Sequence, residues 1–195
     1  MSDKSTVVGQ NTVRAPGPAR TVRLIVTGET AAGKSVVVSD RHVDSVRVSA
    51  APGVEFYRLW GSDETIRLPT SSQPPSMANY FPPVNGFRFV IVEMGPDRDA
   101  HPAEGDMQAA IEEMREKLPG LVDVMEPKSP GMHRSDTVDF GVVLSGQAWL
   151  ELDDGMEVRL ETGDSVILNG IRHAWHNRSA RSCALVLAAV GAQRT

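Results

Sequence analysis

Eight residues near the start of the chain, Gly28-Glu29-Thr30-Ala31-Ala32-Gly33-Lys34-Ser35, fit the phosphate-cradling pattern G-x-x-x-x-G-K-[ST]. That chemistry needs backbone N–H groups converging at the start of a helix. The next residues, Val36-Val37-Val38, are a β-branched run that reads as a strand. The segment therefore predicts a hairpin between Val22–Thr27 and Ser35–Val38, and no nucleotide cofactor is expected. The other reactive groups are five histidines: His42, His101, His133, His173 and His176. On an extended strand His133, Ser135 and Asp139 share parity and point to one face, as do His173 and Trp175. Imidazoles and carboxylates gathered on one face are the groups that move protons and bind divalent ions near neutral pH.

The remaining histidines read as surface groups. His42 lies in the charged stretch Ser39-Asp40-Arg41-His42, His101 stands beside Pro102, and His176 has the opposite parity to His173. Cys183 is the single cysteine, so the chain can form neither an internal disulfide nor a thiolate cluster. It sits in the apolar run Cys183-Ala184-Leu185-Val186-Leu187 and is expected to pack as a small hydrophobe.

Charge narrows the partners. Twenty basic and twenty-five acidic residues leave a net charge of −5. Nucleic acid would require a basic face to displace counterions, and an anionic membrane surface would require the same. No run approaches the ~20 apolar residues of a membrane helix, and the first residues, MSDKSTVVGQ, carry no apolar signal core. The expected address is the cytoplasm, and the expected partner is a small molecule.

The elements that must position these groups are mostly strands. At 195 residues the chain suits one domain. Residues 1–20 are polar and proline-interrupted and read as a flexible arm. Short β-rich runs stand at Val22–Thr27, Ser35–Val38, Val46–Val48, Glu55–Trp60 and Phe87–Met94. The proline-rich stretch from Leu68 to Pro83 predicts a surface loop. Glu104–Leu118 carries Met107, Ile111, Met114 and Leu118 at helical spacing, ends at Pro119-Gly120, and predicts the one substantial helix. Further on, strands are expected at Phe140–Leu144, Ala148–Leu152, Met156–Leu160, Ser165–Leu168 and Ala184–Val190. Asp154-Gly155 is a hairpin turn, and Gly163-Asp164 is another. Close antiparallel strands without intervening helices predict an all-β sandwich or small barrel.

Two segments of this region resemble the cupin family. Its first motif, G-x5-H-x-H-x3,4-E-x6-G, is met at His133, at Asp139 in place of Glu, and at Gly146; Ser135 stands where the second histidine belongs. Its second motif, G-x5-P-x-G-x2-H-x3-N, is met at Gly163, Gly170, His173 and Asn177, with Asn169 near the usual proline. The resemblance covers residues 130–190 closely and 21–100 more loosely. It implies a double-stranded β-helix, or jelly-roll barrel, as a single domain over 21–195 with one peripheral helix. It also implies metal ligands at His133, Asp139 and His173, for Fe, Mn or Ni, with Zn as a further fit. Ser135, Arg134 and Trp175 become the substrate-pocket candidates, and Phe56–Trp60 either lines a barrel mouth or forms a subunit contact. Small cupins also lead to the expectation of a homodimer. The function implied is a metal-dependent oxygenase or lyase, such as a decarboxylase or dehydratase. The alternative is a non-catalytic ligand-binding cupin whose metal site is retired.

Overall fold

The computed structural model describes residues 21–68, 76–100 and 106–195. The expected arm at 1–20, His101, the start of the predicted helix and the central part of the proline-rich stretch lie outside these.

Among the described residues, ten strands carry the fold. They are β1 (Thr21–Glu29), β2 (Ser35–Asp44), β3 (Val54–Ser62), β4 (Phe87–Met94) and β5 (Thr137–Ser145), then β6 (Gln147–Glu151), β7 (Glu157–Glu161), β8 (Ser165–Asn169), β9 (Ala174–His176) and β10 (Cys183–Gly191). A five-stranded sheet, in the order β3-β4-β10-β5-β8, faces a three-stranded sheet, β7-β6-β9. Every pairing within them is antiparallel. This two-sheet antiparallel arrangement is the jelly roll that the sequence leads one to expect.

Side-chain alternation sets the layers. On β5, Thr137, Asp139 and Val143 are buried, while Phe140, Val142 and Leu144 are exposed. Met94, Val143, Ala148, Leu160, Cys183 and Leu185 fill the space between the two sheets, so Cys183 is the buried hydrophobe its apolar run predicts. On β3, the neighbours Phe56 and Tyr57 point to opposite faces. Phe56 joins Met114, Leu118 and Leu121 of the helical segment, while Tyr57 and Leu59 lie under the hairpin residues Val22, Leu24 and Val43. Val54 and Val92 border both the inter-sheet core and the helical cluster. The helices therefore cover the part of the inner face that the short three-stranded sheet leaves open.

The helix forms as α1, Met107–Lys117, with Asp106 accepting from the Gln108 N–H as its N-cap. A second turn, α2 (Leu121–Val124), starts from Gly120 in the left-handed conformation and has no counterpart in the sequence expectation. The phosphate-like letters form a hairpin: β1 and β2 pair, and the Gly33 N–H closes the turn on the Thr30 carbonyl at 2.9 Å. No helix succeeds Lys34 and Ser35, which lead straight into β2.

Several expectations need correcting. Strand β2 runs on to Asp44, so His42 sits on a strand rather than in a loop, and it remains exposed. Val46–Val48 forms only an isolated bridge, Val46 to Phe56. Strand β9 is not named as an element by the sequence, which gives only the strand parity of His173, Trp175 and His176, because three residues are too few to show a period. The described end of the proline-rich stretch is not simply a surface loop, since Tyr80 and Pro82 are buried. Arg58 and Arg88 hold it down through the Asn79 carbonyl, and the Tyr80 N–H donates to the Pro119 carbonyl at 2.7 Å.

Candidate functional site

His133 and His173 meet inside the barrel. Their backbones form a reciprocal antiparallel bridge, with N–H to carbonyl distances of 2.9 and 3.0 Å. The imidazole centroids are 4.4 Å apart and tilted by 52°. Two residues forty positions apart in sequence thus become direct cross-strand neighbours.

The same device fixes each ring. His133 Nδ1 lies 3.0 Å from the Gly131 carbonyl, and His173 Nδ1 lies 3.0 Å from the Ile171 carbonyl. A carbonyl only accepts, so each Nδ1 carries the hydrogen and each Nε2 keeps a free lone pair. Burial holds the His133 pKa below its ordinary value, and neighbouring His173 adds to this, while the Gly131 carbonyl and Asp139 act the other way. Burial also lowers His173, against the Ile171 carbonyl. Both rings are therefore held as neutral imidazoles, the form that ligates a metal or accepts a proton.

Strand β5 and the residues before it supply a polar row. Ser135, Thr137 and Asp139 are all buried, at 3%, 2% and 6% exposure. The Ser135 and Thr137 hydroxyls bond to each other at 2.7 Å. Asp139 Oδ1 is buried with no hydrogen-bond partner among the described residues. Burial pushes the Asp139 carboxyl above its ordinary pKa, while the Thr137 hydroxyl and His133 pull it back.

Aromatic rings wall this row. Phe81 stands 6.0 Å from His133, tilted by 35°, and Trp175 meets His173 edge-on at 6.3 Å. Tyr80 packs at right angles to Phe81 at 5.0 Å and is close enough to Asp139 to feel its charge. Sequence reasoning misses Tyr80, Phe81 and Thr137. Thr137 shares the parity of Ser135 and Asp139 and is open to that argument; the two aromatics lie in the proline-rich stretch, where no period points inward.

His133, Ser135, Asp139, His173 and Trp175, all candidates from sequence, are placed around one interior. Arg134 is not among them. It is exposed between the buried Met132 and Ser135 side chains, on the outer side near Glu126. The three expected metal ligands do not form a ready cluster: among the described residues, no three His, Cys, Asp or Glu side chains stand close enough together to hold an ion. The donor chemistry still suits one. Two anchored neutral imidazoles and an orphaned buried carboxylate oxygen are hard-to-intermediate donors appropriate to Fe(II), Mn(II) or Ni(II).

Around the site, neighbouring motif residues act as fasteners. Asn177 is fully buried, and its Nδ2 donates to the Met94 carbonyl at 2.9 Å and to the Arg181 carbonyl at 2.8 Å, tying the end of β9 to β4. His176, expected to face solvent, is half-buried with Nε2 at 2.7 Å from Glu151. Arg172 grips Glu126 through Nε and Nη2 at 2.6 and 2.7 Å, which fixes the segment leading into His133.

The paired histidines come from two separated segments and meet between two antiparallel sheets. Residues 120–189 match the family model described as the cupin domain. Phomopsin biosynthesis cluster protein C' of Diaporthe leptostromiformis is 42% identical over 67 residues, covering 32% of this chain and 35% of that protein. The chain thus spans about a third of the length of the first curated relatives it matches. A longer likeness is to the cupin-domain-containing oxidoreductase virC of Hypocrea virens, 26% identical over 167 residues, or 86% of this chain and 72% of that one. Among solved structures, the Cnp3 cupin domain of Schizosaccharomyces pombe is 10% identical, covers 87% of each chain and has a TM-score of 0.44. Among the described residues, no helix is long and apolar enough to cross a membrane.

Proposed function

We propose that this cupin is a metal-dependent enzyme acting on a small organic molecule, as an oxygenase or a lyase such as a decarboxylase or dehydratase. His133 and His173 hold the divalent ion, with Asp139 as the third ligand. The observation that carries this reading is the pair of backbone carbonyls that fix both Nδ1 hydrogens and leave both Nε2 lone pairs bare. Carbonyl anchoring of the far nitrogen is how ligating histidines are commonly oriented. When bound, the ion supplies Lewis-acid polarisation of a substrate oxygen. The protein's own contribution is to keep both imidazoles neutral, to pack Phe81 and Trp175 against them, and to leave Asp139 Oδ1 without a protein partner so that it can serve the ion. The virC relative, named as an oxidoreductase, and the relatives named for biosynthesis clusters support a small-molecule enzyme.

A second reading rests on Ser135. Its hydroxyl occupies the position of a family ligand and is already bonded to Thr137. That suits a ligand-binding cupin with a retired metal site. Metal content and thermal shift with Fe(II), Mn(II), Ni(II) and Zn(II) separate the two, using tag-free wild type, His173→Ala and Ser135→His. The enzyme reading expects metal in wild type, most of it lost in His173→Ala, and tighter binding in Ser135→His. Equal, near-zero metal in wild type and His173→Ala leaves the retired site.

The homodimer is part of the same proposal. The outer face of the five-stranded sheet exposes Phe89, Phe140, Val142, Ile167 and Val190. Contiguous apolar surface of this kind marks association sites.

A further inference from the structure

The segments that carry the two histidines are joined twice. One joint is the reciprocal bridge between the His133 and His173 backbones. The other is a side chain just beyond β10. Arg194 Nη2 donates to the Ser135 carbonyl at 3.1 Å and to the Gly170 carbonyl at 3.0 Å, and a guanidinium nitrogen of this kind carries a hydrogen for each. Its Nε donates to Asp136 Oδ1 at 2.7 Å. The stretch that presents the guanidinium is itself tied down: the Gly191 N–H donates to the Gly86 carbonyl at 2.9 Å, and the Ala192 N–H to the Asp136 carbonyl at 2.8 Å.

Global stability is a poor account of this fork. The Arg194 and Asp136 side chains are 45% and 63% exposed, and an ion pair that open to water contributes little to folding. What the fork does fix is a soft piece of backbone. Gly170 has φ +61°, and a Cβ added there would lie 3.2 Å from Arg194 Nη2. A glycine leaves the peptide plane that follows it free to turn. The next carbonyl along the chain is that of Ile171, the acceptor at 3.0 Å for His173 Nδ1. Arg194 thus holds the peptide immediately before the one that orients the His173 ring. It holds that peptide against Ser135, at the head of the buried row formed with Thr137 and Asp139.

We infer that Arg194 is a positioning residue of the His133–His173 site. By fixing the Gly170 carbonyl relative to Ser135, it keeps the Ile171 carbonyl aimed at His173 Nδ1 and so keeps Nε2 as the bare nitrogen of that ring. It acts through Gly170 and Ile171, not on the imidazole itself. A planar fork suits this task, because it reaches two carbonyls and a carboxylate from one rigid group, whereas a lysine offers a point charge on a flexible stem. The inference rests on the reading of this histidine pair as the functional site. It concerns the chain without metal, however, so near-zero metal in wild type would end the metal reading and leave it standing.

The test reads the imidazole nitrogens of the metal-free full chain by long-range proton–nitrogen correlation, at about pH 7.5 where an ordinary histidine is neutral. Wild type, Arg194→Met and Arg194→Lys are compared, with the melting temperature of each. Wild type should show His133 and His173 each as a single tautomer with the hydrogen on Nδ1. In Arg194→Met, His173 should become a mixture of both tautomers while the exposed His42 keeps its shifts. The melting temperature should fall by no more than about 6 °C, as the loss of a largely exposed fork predicts. Arg194→Lys should restore part of the Nδ1–H population at His173. A single, unchanged tautomer at His173 in Arg194→Met overturns the inference alone. So does a larger fall in melting temperature, which would make the fork a tie of the whole fold, or an Arg194→Lys chain no closer to wild type than Arg194→Met. Wild-type rings that are not in the Nδ1–H form overturn it together with the reading of the pair.

Discussion

The Arg88 guanidinium and the Asp63 carboxylate form an ion pair beside the end of β3, with the arginine side chain only 1% exposed. The other N–H groups of Arg88 reach the Ser62, Phe87 and Asn79 carbonyls at 3.0, 2.9 and 3.0 Å. One buried arginine on β4 thus fastens the end of β3 and the segment that delivers Tyr80 and Phe81 to the site.

Removing that arginine should be costly. Arg88→Met leaves Asp63 without its cation and takes a donor from three carbonyls, of which that of Asn79 keeps Arg58, so a loss of about 3 kcal/mol is expected in urea unfolding. Because the Tyr80 segment hangs on it, the change should also weaken ligand binding in the pocket. A loss below about 1 kcal/mol would show that the cage is not needed.

Two glycines separate backbone strain from collision. Gly146 has φ +76°, and an added Cβ would lie 2.6 Å from the Ser182 carbonyl oxygen; Gly163 has φ +95° with open space around it. Gly163→Ala should cost about 1 kcal/mol from conformation alone. Gly146→Ala should cost clearly more, about 3 kcal/mol, since the clash is with backbone. Equal losses in chemical denaturation would contradict this.

The buried titrating groups make opposite demands on pH. His133 and His173 have folded pKa values below the ordinary 6.5, so the unfolded chain binds more protons there. Their effect is that stability is full above 6.5 and falls as pH drops through the window beneath it. Asp139 is raised above 3.8, so its effect is full stability below 3.8 and loss as pH rises through its folded value. Melting temperature should therefore decline less below about pH 6.5 in His173→Gln, and Asp139→Asn should melt higher than wild type at about pH 7. A melting curve unaltered by either variant would remove both assignments.

The exposed sheet face leads to a prediction about mass. Light scattering at micromolar concentration should report twice the 21.1 kDa chain mass. Phe140→Glu, at an exposed position, should lower it toward the monomer without changing the circular dichroism spectrum. A monomeric wild type would refute the pairing.

Strands β5 and β6 are legible in the sequence because each alternates over a length that shows a period, β10 because it is an unbroken apolar run, and Asp154-Gly155 marks its turn. The site is half legible. Parity alone gathers His133, Ser135 and Asp139, and the motif spacing brings His173 to them. What parity cannot state is that Ser135 bonds Thr137, that Asp139 Oδ1 has no partner, or that three donors fail to converge, since these depend on distances between strands. Tyr80 and Phe81 are hidden for another reason: they enter the barrel on a non-repetitive segment held by arginine-to-carbonyl bonds, and such bonds leave no pattern in the sequence. Arg134 illustrates the converse, a reactive residue type turned outward by the same alternation that turns its neighbours in.

The reciprocal bridge between His133 and His173 makes the pocket a reporter of strand registry. A slip by one position would rotate both imidazoles to the far side of their strands at once. The two histidine amides, each bonded to the other's carbonyl, should therefore be slow to exchange with deuterium, and they should begin exchanging together when either motif opens. Site geometry in this chain is then an all-or-none property, carried by the two main-chain bonds that join the two histidine segments.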